Sequence, residues 1–162
     1  MAEILISSDI TNGDIVHLSM FMRPADVTEV MLSHGHTPEE AVINAVRTSR
    51  HAYRVTANGS LICMFGVCDD RLAKGTGVPW MLSKPSVTKY PTHIMRIGLR
   101  TVKSWMREYD LLMNAVWAGN DTSIRWLKRI GFEFGDPVAL GPQQAPFYAF
   151  FKARRVKACV NQ

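Results

Sequence analysis

The chain has 162 residues, of which 47% are hydrophobic and 20% charged, values close to soluble globular averages and far from disordered or collagen-like compositions. A chain of this length fits one domain that buries roughly two thirds of its unfolded surface without help from metals or disulfides, and no apolar run approaches the ~18 residues a membrane helix needs. The net charge of +5 is uneven, because residues 1–46 hold one basic residue, Arg23, against seven acidic ones and residues 47–162 hold eighteen against seven, giving −6 and +11.

The basic part would attract an anionic ligand, whether a phosphorylated cofactor, nucleic acid or an acidic protein. The start, MAEILISSDITNGD, has an early Glu and no basic run, so no signal peptide and a cytoplasmic location are expected. Cys63, Cys68 and Cys159 are odd in number and lack a zinc-like spacing. Five residues apart in an apolar run, Cys63 and Cys68 fall on opposite faces of a strand and read as small buried side chains. His34 and His36 have no nearby Cys or carboxylate to complete a metal site and read as a solvated loop.

IVHLSMFM, Ile15 to Met22, reads as a first strand, and RPADVTEVMLS as a short helix with Pro24 in its first turn and Val27, Val30 and Met31 on one face. The segment HTPEEAVINAVRTSR carries Thr37 as N-cap, Pro38 at the first helical position and Glu40 completing a capping box, which predicts a helix from Pro38 to about Ser49. Next comes a hairpin, since Asn58-Gly59 supplies the positive φ angles of a tight turn between two runs of strand formers. Gly77 to Ser83 is a further strand. The proline-flanked loop KPSVTKYP then leads to a long helix from near Pro91 to about Tyr109, with Met95, Leu99, Val102 and Met106 as its apolar face and Arg96, Arg100, Lys103 and Arg107 as an adjoining basic edge. Leu111 to Gly119 is a buried-type strand, followed by a short helix capped by Asp121 or Thr122 and by two strands, FEFG and PFYAFFKA. The alternation in the middle requires a crossover helix, hence one domain over residues 1–162, with a core from about 15 to 152 and a basic tail at 153–162, built as a mixed sheet covered by helices on both faces.

This element order, together with Asn120 and RWLKRIGF at Arg125 to Phe132, resembles the GNAT superfamily of acetyl-CoA-dependent N-acetyltransferases, whose members place an Asn after the fifth strand and then a short helix ending like RFYEKLGF. In physical terms Trp126, Leu127 and Ile130 bury one helix face and Gly131 ends the helix in a left-handed conformation. GVPWMLS and SIRWLKRIGF also look like divergent acetyltransferase-like proteins of T7-like tailed phages, some of which serve virion assembly. The resemblance implies a GNAT-like α/β fold with a mixed, mostly antiparallel sheet and acetyl transfer from acetyl-CoA to an amine of a protein or small molecule. It also implies an alternative, an inactive interaction protein that binds a host or virion protein.

The resemblance places acetyl-CoA against Leu82, Ser83, Lys84, Thr88, Lys89 and Asn120, with the pantetheine arm in a slot between the splayed fourth and fifth strands. Two departures bear on the activity. The pyrophosphate loop, glycine-rich in the family, reads SKPSVTKYP here, without glycine and with two prolines that each remove an N–H donor. The tyrosine of RFYEKLGF, which protonates the leaving thiolate, is Leu127. Tyr148 and Tyr90 are substitutes by type only, Glu108, Glu133 and His93 are candidate bases by type only, and no catalytic residue is assigned. Trp80 and Trp117 read as core. Nucleic acid is not expected to bind, because the basic helix edge and the KARRVKA tail come without an aromatic platform.

Overall fold

The computed structural model describes residues 1–155. In chain order it contains β1 (Ile4–Ser7), α1 (Asn12–Met20), α2 (Pro24–His34), α3 (Pro38–Thr48), β2 (Ser49–Ala57), β3 (Ser60–Asp69), β4 (Thr76–Ser83), a 3-10 turn (Pro85–Lys89), α4 (Pro91–Trp105), β5 (Leu111–Trp117), α5 (Asp121–Arg129), β6 (Glu133–Leu140) and β7 (Ala145–Ala153). The strands form one sheet in the order β1-β2-β3-β4-β5-β7-β6. Every neighbouring pair is antiparallel except β4 and β5, which run parallel. Residues 156–162, most of the expected basic tail, lie outside the described residues.

The largest correction concerns Ile15–Met22, which holds no strand and is helix as far as Met20. Thr11 Oγ1 accepts from the Asp14 amide at 3.1 Å while the Asp14 carboxylate accepts from the Thr11 amide at 2.9 Å, a reciprocal cap that starts a helix at Asn12. Leu18 and Met22 then face the sheet, both buried. The first strand is the preceding Ile4–Ser7, pinned to the β2–β3 turn by hydrogen bonds between Glu3 and Asn58.

The other local signals act as the sequence implies. Thr37 and Glu40 cap α3 reciprocally, and Asn58 and Gly59 take φ of 50° and 79° in the hairpin turn. Helices cover both faces of the sheet, which is why β3 is buried along nearly its whole length and reads as a continuous apolar run. One apolar cluster joins Leu18, Met22, Ala41 and Val42 of α1, its C-terminal flank and α3 to Leu61, Met64 and Leu82. The second joins Ile94, Val102 and Trp105 of α4 and Leu127 of α5 to Val55, Cys63, Phe65, Leu112 and Phe150.

In α4 the buried stripe is Ile94, Gly98, Val102 and Trp105, while Leu99 is 47% exposed. The expected apolar face is thus displaced by about one residue, because α5 crosses α4 at Gly98. A Cβ there would lie 2.8 Å from Cζ2 of Trp126 and 3.1 Å from Cγ2 of Ile130, so the small residue sets how closely the two helices approach. Gly131 ends the α5 segment with φ of 100°, and Leu127 and Ile130 are buried beneath it. The N-cap is Asn120, not Asp121 or Thr122, and its side chain makes no capping bond because it is engaged elsewhere.

Candidate active site at the strand splay

Strands β4 and β5 pair only at Thr76–Leu111 and Gly77–Leu112 and then diverge. The wedge between them opens into a cleft of about 780 Å³ that reaches both faces of the sheet, walled by Gly98 of α4 and Trp126 of α5 on one side and by Glu29 of α2 and Asn44 of α3 on the other. Strand alternation decides which β4 groups face the wedge. Lys84 N–H bonds to Ile62 of β3, so the groups of Pro79, Met81 and Ser83 point the other way, toward β5.

Most of that edge is already engaged by the chain itself. The Asn114 side chain spans the wedge, with Nδ2 donating to Pro79 O at 2.8 Å and Oδ1 accepting from Ala115 N at 2.7 Å. Asp26 Oδ2 accepts from both the amide and the hydroxyl of Ser83, at 3.0 and 2.9 Å, and Ser83 O accepts from Arg23 N at 2.7 Å. Met81, between them, has no such partner among the described residues. Its main-chain N–H and C=O are the β4 groups left for a ligand.

Helix α2 thereby ties the two lips of the wedge together. Arg23 Nη2 donates to Asp26 at 2.7 Å, Asn120 Oδ1 at 3.1 Å and Ser123 Oγ at 2.9 Å, and Arg23 Nε is buried without a partner. One turn along α2, Glu29 Oε2 accepts from Trp117 N–H at 3.0 Å and from Asn120 Nδ2 at 2.9 Å. Its other oxygen has no hydrogen-bond donor among the described residues and belongs to a side chain lining the cleft. Burial pushes the Glu29 carboxyl up from 4.5 to about 7, with Asp26 adding to the rise and the bonds from Asn120 and Trp117 opposing it. Burial, with the Asp26 charge nearby, thus leaves a carboxylate able to take a proton near neutral pH.

The sequence-derived ligand set divides. Leu82 and Ser83 are buried, with Ser83 committed to Asp26. Lys84 turns toward α1, its Nζ 2.9 Å from His17 Nε2 and 5.7 Å from the Phe21 ring centroid. Thr88 lines the cleft and donates its hydroxyl to Pro85 O at 2.9 Å. Lys89 is exposed at the end of the 3-10 turn, directly before α4. Asn120 is 2% exposed and engaged at both side-chain ends by Arg23 and Glu29.

The loop itself spends two of its N–H groups internally, Val87 on Lys84 O and Tyr90 on Val87 O. Helix α4 begins without a side-chain cap, so its first-turn amides remain available to an anion. In the cleft wall, Trp126 Nε1 is buried without a partner among the described residues. The Met81 edge, the first turn of α4 and the open wedge suit an extended ligand that carries phosphate groups.

None of Glu108, Glu133, His93, Tyr90 and Tyr148 lines the cleft; Glu108 pairs with His51 at 2.8 Å. Leu127 does line it. The sequence reading missed Glu29, whose position is disclosed only by partners 88 and 91 residues away. Trp80 packs partly against the α1–α3 cluster and donates Nε1 to Ser49 at 2.7 Å. Among the described residues no group of three or more His, Cys, Asp or Glu could hold a metal ion, and no helix is long and apolar enough to cross a membrane.

This architecture is the fold of the GNAT acetyltransferases. The chain superposes on the ribosomal-protein-alanine N-acetyltransferase of Brucella melitensis with a TM-score of 0.69 and 14% identity, over 92% of this chain and 99% of that one. It matches a GNAT-family acetyltransferase of Bacillus anthracis with a TM-score of 0.69 and 14% identity over 95% and 97%. An aminoglycoside acetyltransferase in complex with coenzyme A and kanamycin matches with a TM-score of 0.66 and 16% identity over 94% and 95%. No protein-family model and no curated protein sequence matches the chain.

Proposed function

We propose that the protein transfers an acetyl group from acetyl-CoA to an amine of a protein or small molecule. The observation that carries this reading is the β4–β5 wedge, with the unclaimed Met81 edge in it and the Glu29 carboxylate at its α2 side. Acetyl-CoA supplies the activated acyl group as a thioester. The Met81 main chain and the start of α4 would hold it, with Thr88 and Lys89 beside the phosphates. Lys84, turned to His17, and Asn120, buried between Arg23 and Glu29, stay outside this set although the family resemblance places them at the same site.

The acceptor ammonium enters beside α2 and gives a proton to Glu29. Its nitrogen then attacks the thioester carbonyl carbon, forming the C–N bond as the C–S bond breaks. Leu127 has no proton to offer, so the departing thiolate takes its proton through water, which accepts the second proton lost by the attacking nitrogen as the amide forms. Binding should depend on Lys89 more than on Lys84. Lys89→Ala is expected to weaken acetyl-CoA binding severalfold, an effect that shrinks at high salt, and Lys84→Ala to leave it nearly unchanged, both read by calorimetry.

The reading is tested by incubating the protein with acetyl-CoA and primary amines and following both free thiol release and the 42 Da gain of the amine, about one acetyl group in place of one proton. Release of thiol with acetylated amine supports it. Thiol release without acetylated amine would reduce the activity to thioester hydrolysis and overturn it.

A second reading has its own support, namely that the chain fills much of its own wedge through Asn114, Asp26 and Arg23 and lacks the motif tyrosine. In it the fold serves as an inactive interaction protein, with a host or virion protein as the partner implied by the phage resemblance. It predicts neither acetyl-CoA binding nor acyl transfer.

A further inference from the structure

The α2–α3 side of the cleft has a direction. From Glu29 it follows one face of α3, marked by Ala41, Asn44, Ala45 and Thr48, and at the far end Asn44 and Thr48 also line a second cavity of about 560 Å³ whose other walls are Arg47, Asp69 and Arg71. The two cavities therefore adjoin along α3. From Ala41 to Thr48 the helix rises about 10 Å, the length of about three residues of extended peptide. Ala41 is buried in the α1–α3 cluster, but Asn44 and Thr48 are exposed and Ala45 between them is half-buried, so this face is open to a main chain from Asn44 to Thr48.

The charges at the two ends are opposite. At the inner end stands the Glu29 carboxylate. At the outer end Arg47 and Arg71 are exposed and have no carboxylate partner among the described residues. The acid at that rim, Asp69, does not neutralise them, since Arg50 holds it at 2.9 Å and the Tyr109 hydroxyl donates to it at 2.6 Å.

We infer that the acceptor is the amino terminus of a peptide bearing an acidic side chain within its first four residues. Its ammonium meets Glu29, its main chain follows α3, and its carboxylate meets Arg47 and Arg71. The inference rests on the acetyl-transfer reading above and adds the substrate class to it.

The test uses acetyl-CoA with three peptide amides, Ala-Ser-Glu-Glu-Gly-Ala and its counterparts with Gln-Gln or Lys-Lys in place of Glu-Glu. For the unmodified protein, kcat/KM is expected to be roughly tenfold higher for the Glu peptide than for the Gln peptide, and higher at low salt, as for paired rim charges. The Arg47→Glu/Arg71→Glu variant, altered only at exposed positions, is expected to prefer the Lys peptide. That reversal is an outcome which simple loss of structure cannot produce. Equal rates for all three peptides, or turnover of kanamycin with none of the peptides, would overturn the inference and leave acetyl transfer standing. Calorimetry on the same samples separates the other failure, because absence of acetyl-CoA binding would remove the acetyl-transfer reading and this inference together.

Discussion

Glu29→Gln is expected to lower the rate of acetyl transfer by roughly 10²–10⁴, the range for loss of a positioned general base, while leaving acetyl-CoA affinity within about twofold. The unmodified protein should lose activity as pH falls through about 7, the value to which burial raises the Glu29 carboxyl, and the variant should lack that limb. Stability provides an independent reading of the same group. Because the folded-state value lies above the ordinary 4.5, the native state favours the protonated form. The contribution of Glu29 is therefore most favourable below about pH 4.5 and falls as pH rises through about 7, by roughly 3 kcal/mol when complete. Thermal melts at pH 5 and pH 8 check the sign: the Gln variant should gain on the unmodified protein at pH 8 and match it near pH 5. Equal melting shifts at both values would show that Glu29 does not sit in the environment assigned to it.

Asp26→Ala is expected to destabilise the fold by about 3–5 kcal/mol, the usual cost of stranding one partner of a buried ion pair. Asp26 is 4% exposed and serves three donors, Arg23 Nη2 and the amide and hydroxyl of Ser83. Its loss leaves the two Ser83 groups without their acceptor and the Arg23 cation without its carboxylate, with only Asn120 and Ser123 still accepting from Nη2. For a chain of this size the melting temperature should fall by roughly 10 °C. Asp26→Asn, which keeps an oxygen for Ser83 but loses the charge, should fall less. A drop of only a degree or two for the Ala variant would mean that α2 is not anchored to β4 through this residue. The consequence for function follows from position, since the same helix carries Glu29 to the opposite lip of the wedge.

How much of this could be read from the sequence depended on the range of the signal. Thr37-Pro38-Glu40, Asn58-Gly59 and Gly131-Phe132 act within a few residues, through a cap, a turn and a left-handed helix end, and each element they announce is present. The mixed sheet with helices on both faces was legible from element order alone. Ile15–Met22 failed because its apolar content was weighed without the Thr11–Asp14 cap just before it, a signal that was in the sequence and outranked the strand reading. The α4 stripe was misplaced because a glycine carries no apolar mark, although Gly98 is where α5 makes its contact.

The site was less legible than the fold. Asn120 stood out through the family resemblance, yet its side chain is bound by Arg23 and Glu29 from the other end of the chain. A helical glutamate such as Glu29 is usually a solvated surface group, and nothing local distinguishes it. The loop SKPSVTKYP was recognised as glycine-free, but only coordinates disclose that Lys84 turns to His17 while Lys89 stays at the start of α4. Long-range hydrogen bonds decide these matters, and a single sequence does not record them.

The central claim is that the splay of β4 and β5 is a working acyl-CoA slot despite the residues that line it. Calorimetric titration of the protein with acetyl-CoA, at low and at near-physiological salt, tests it most directly. The account predicts one site per chain, with affinity in the micromolar range and weaker at the higher salt as phosphate contacts are screened. No heat and no thermal stabilisation at millimolar acetyl-CoA would contradict it and leave the interaction protein as the reading of this fold.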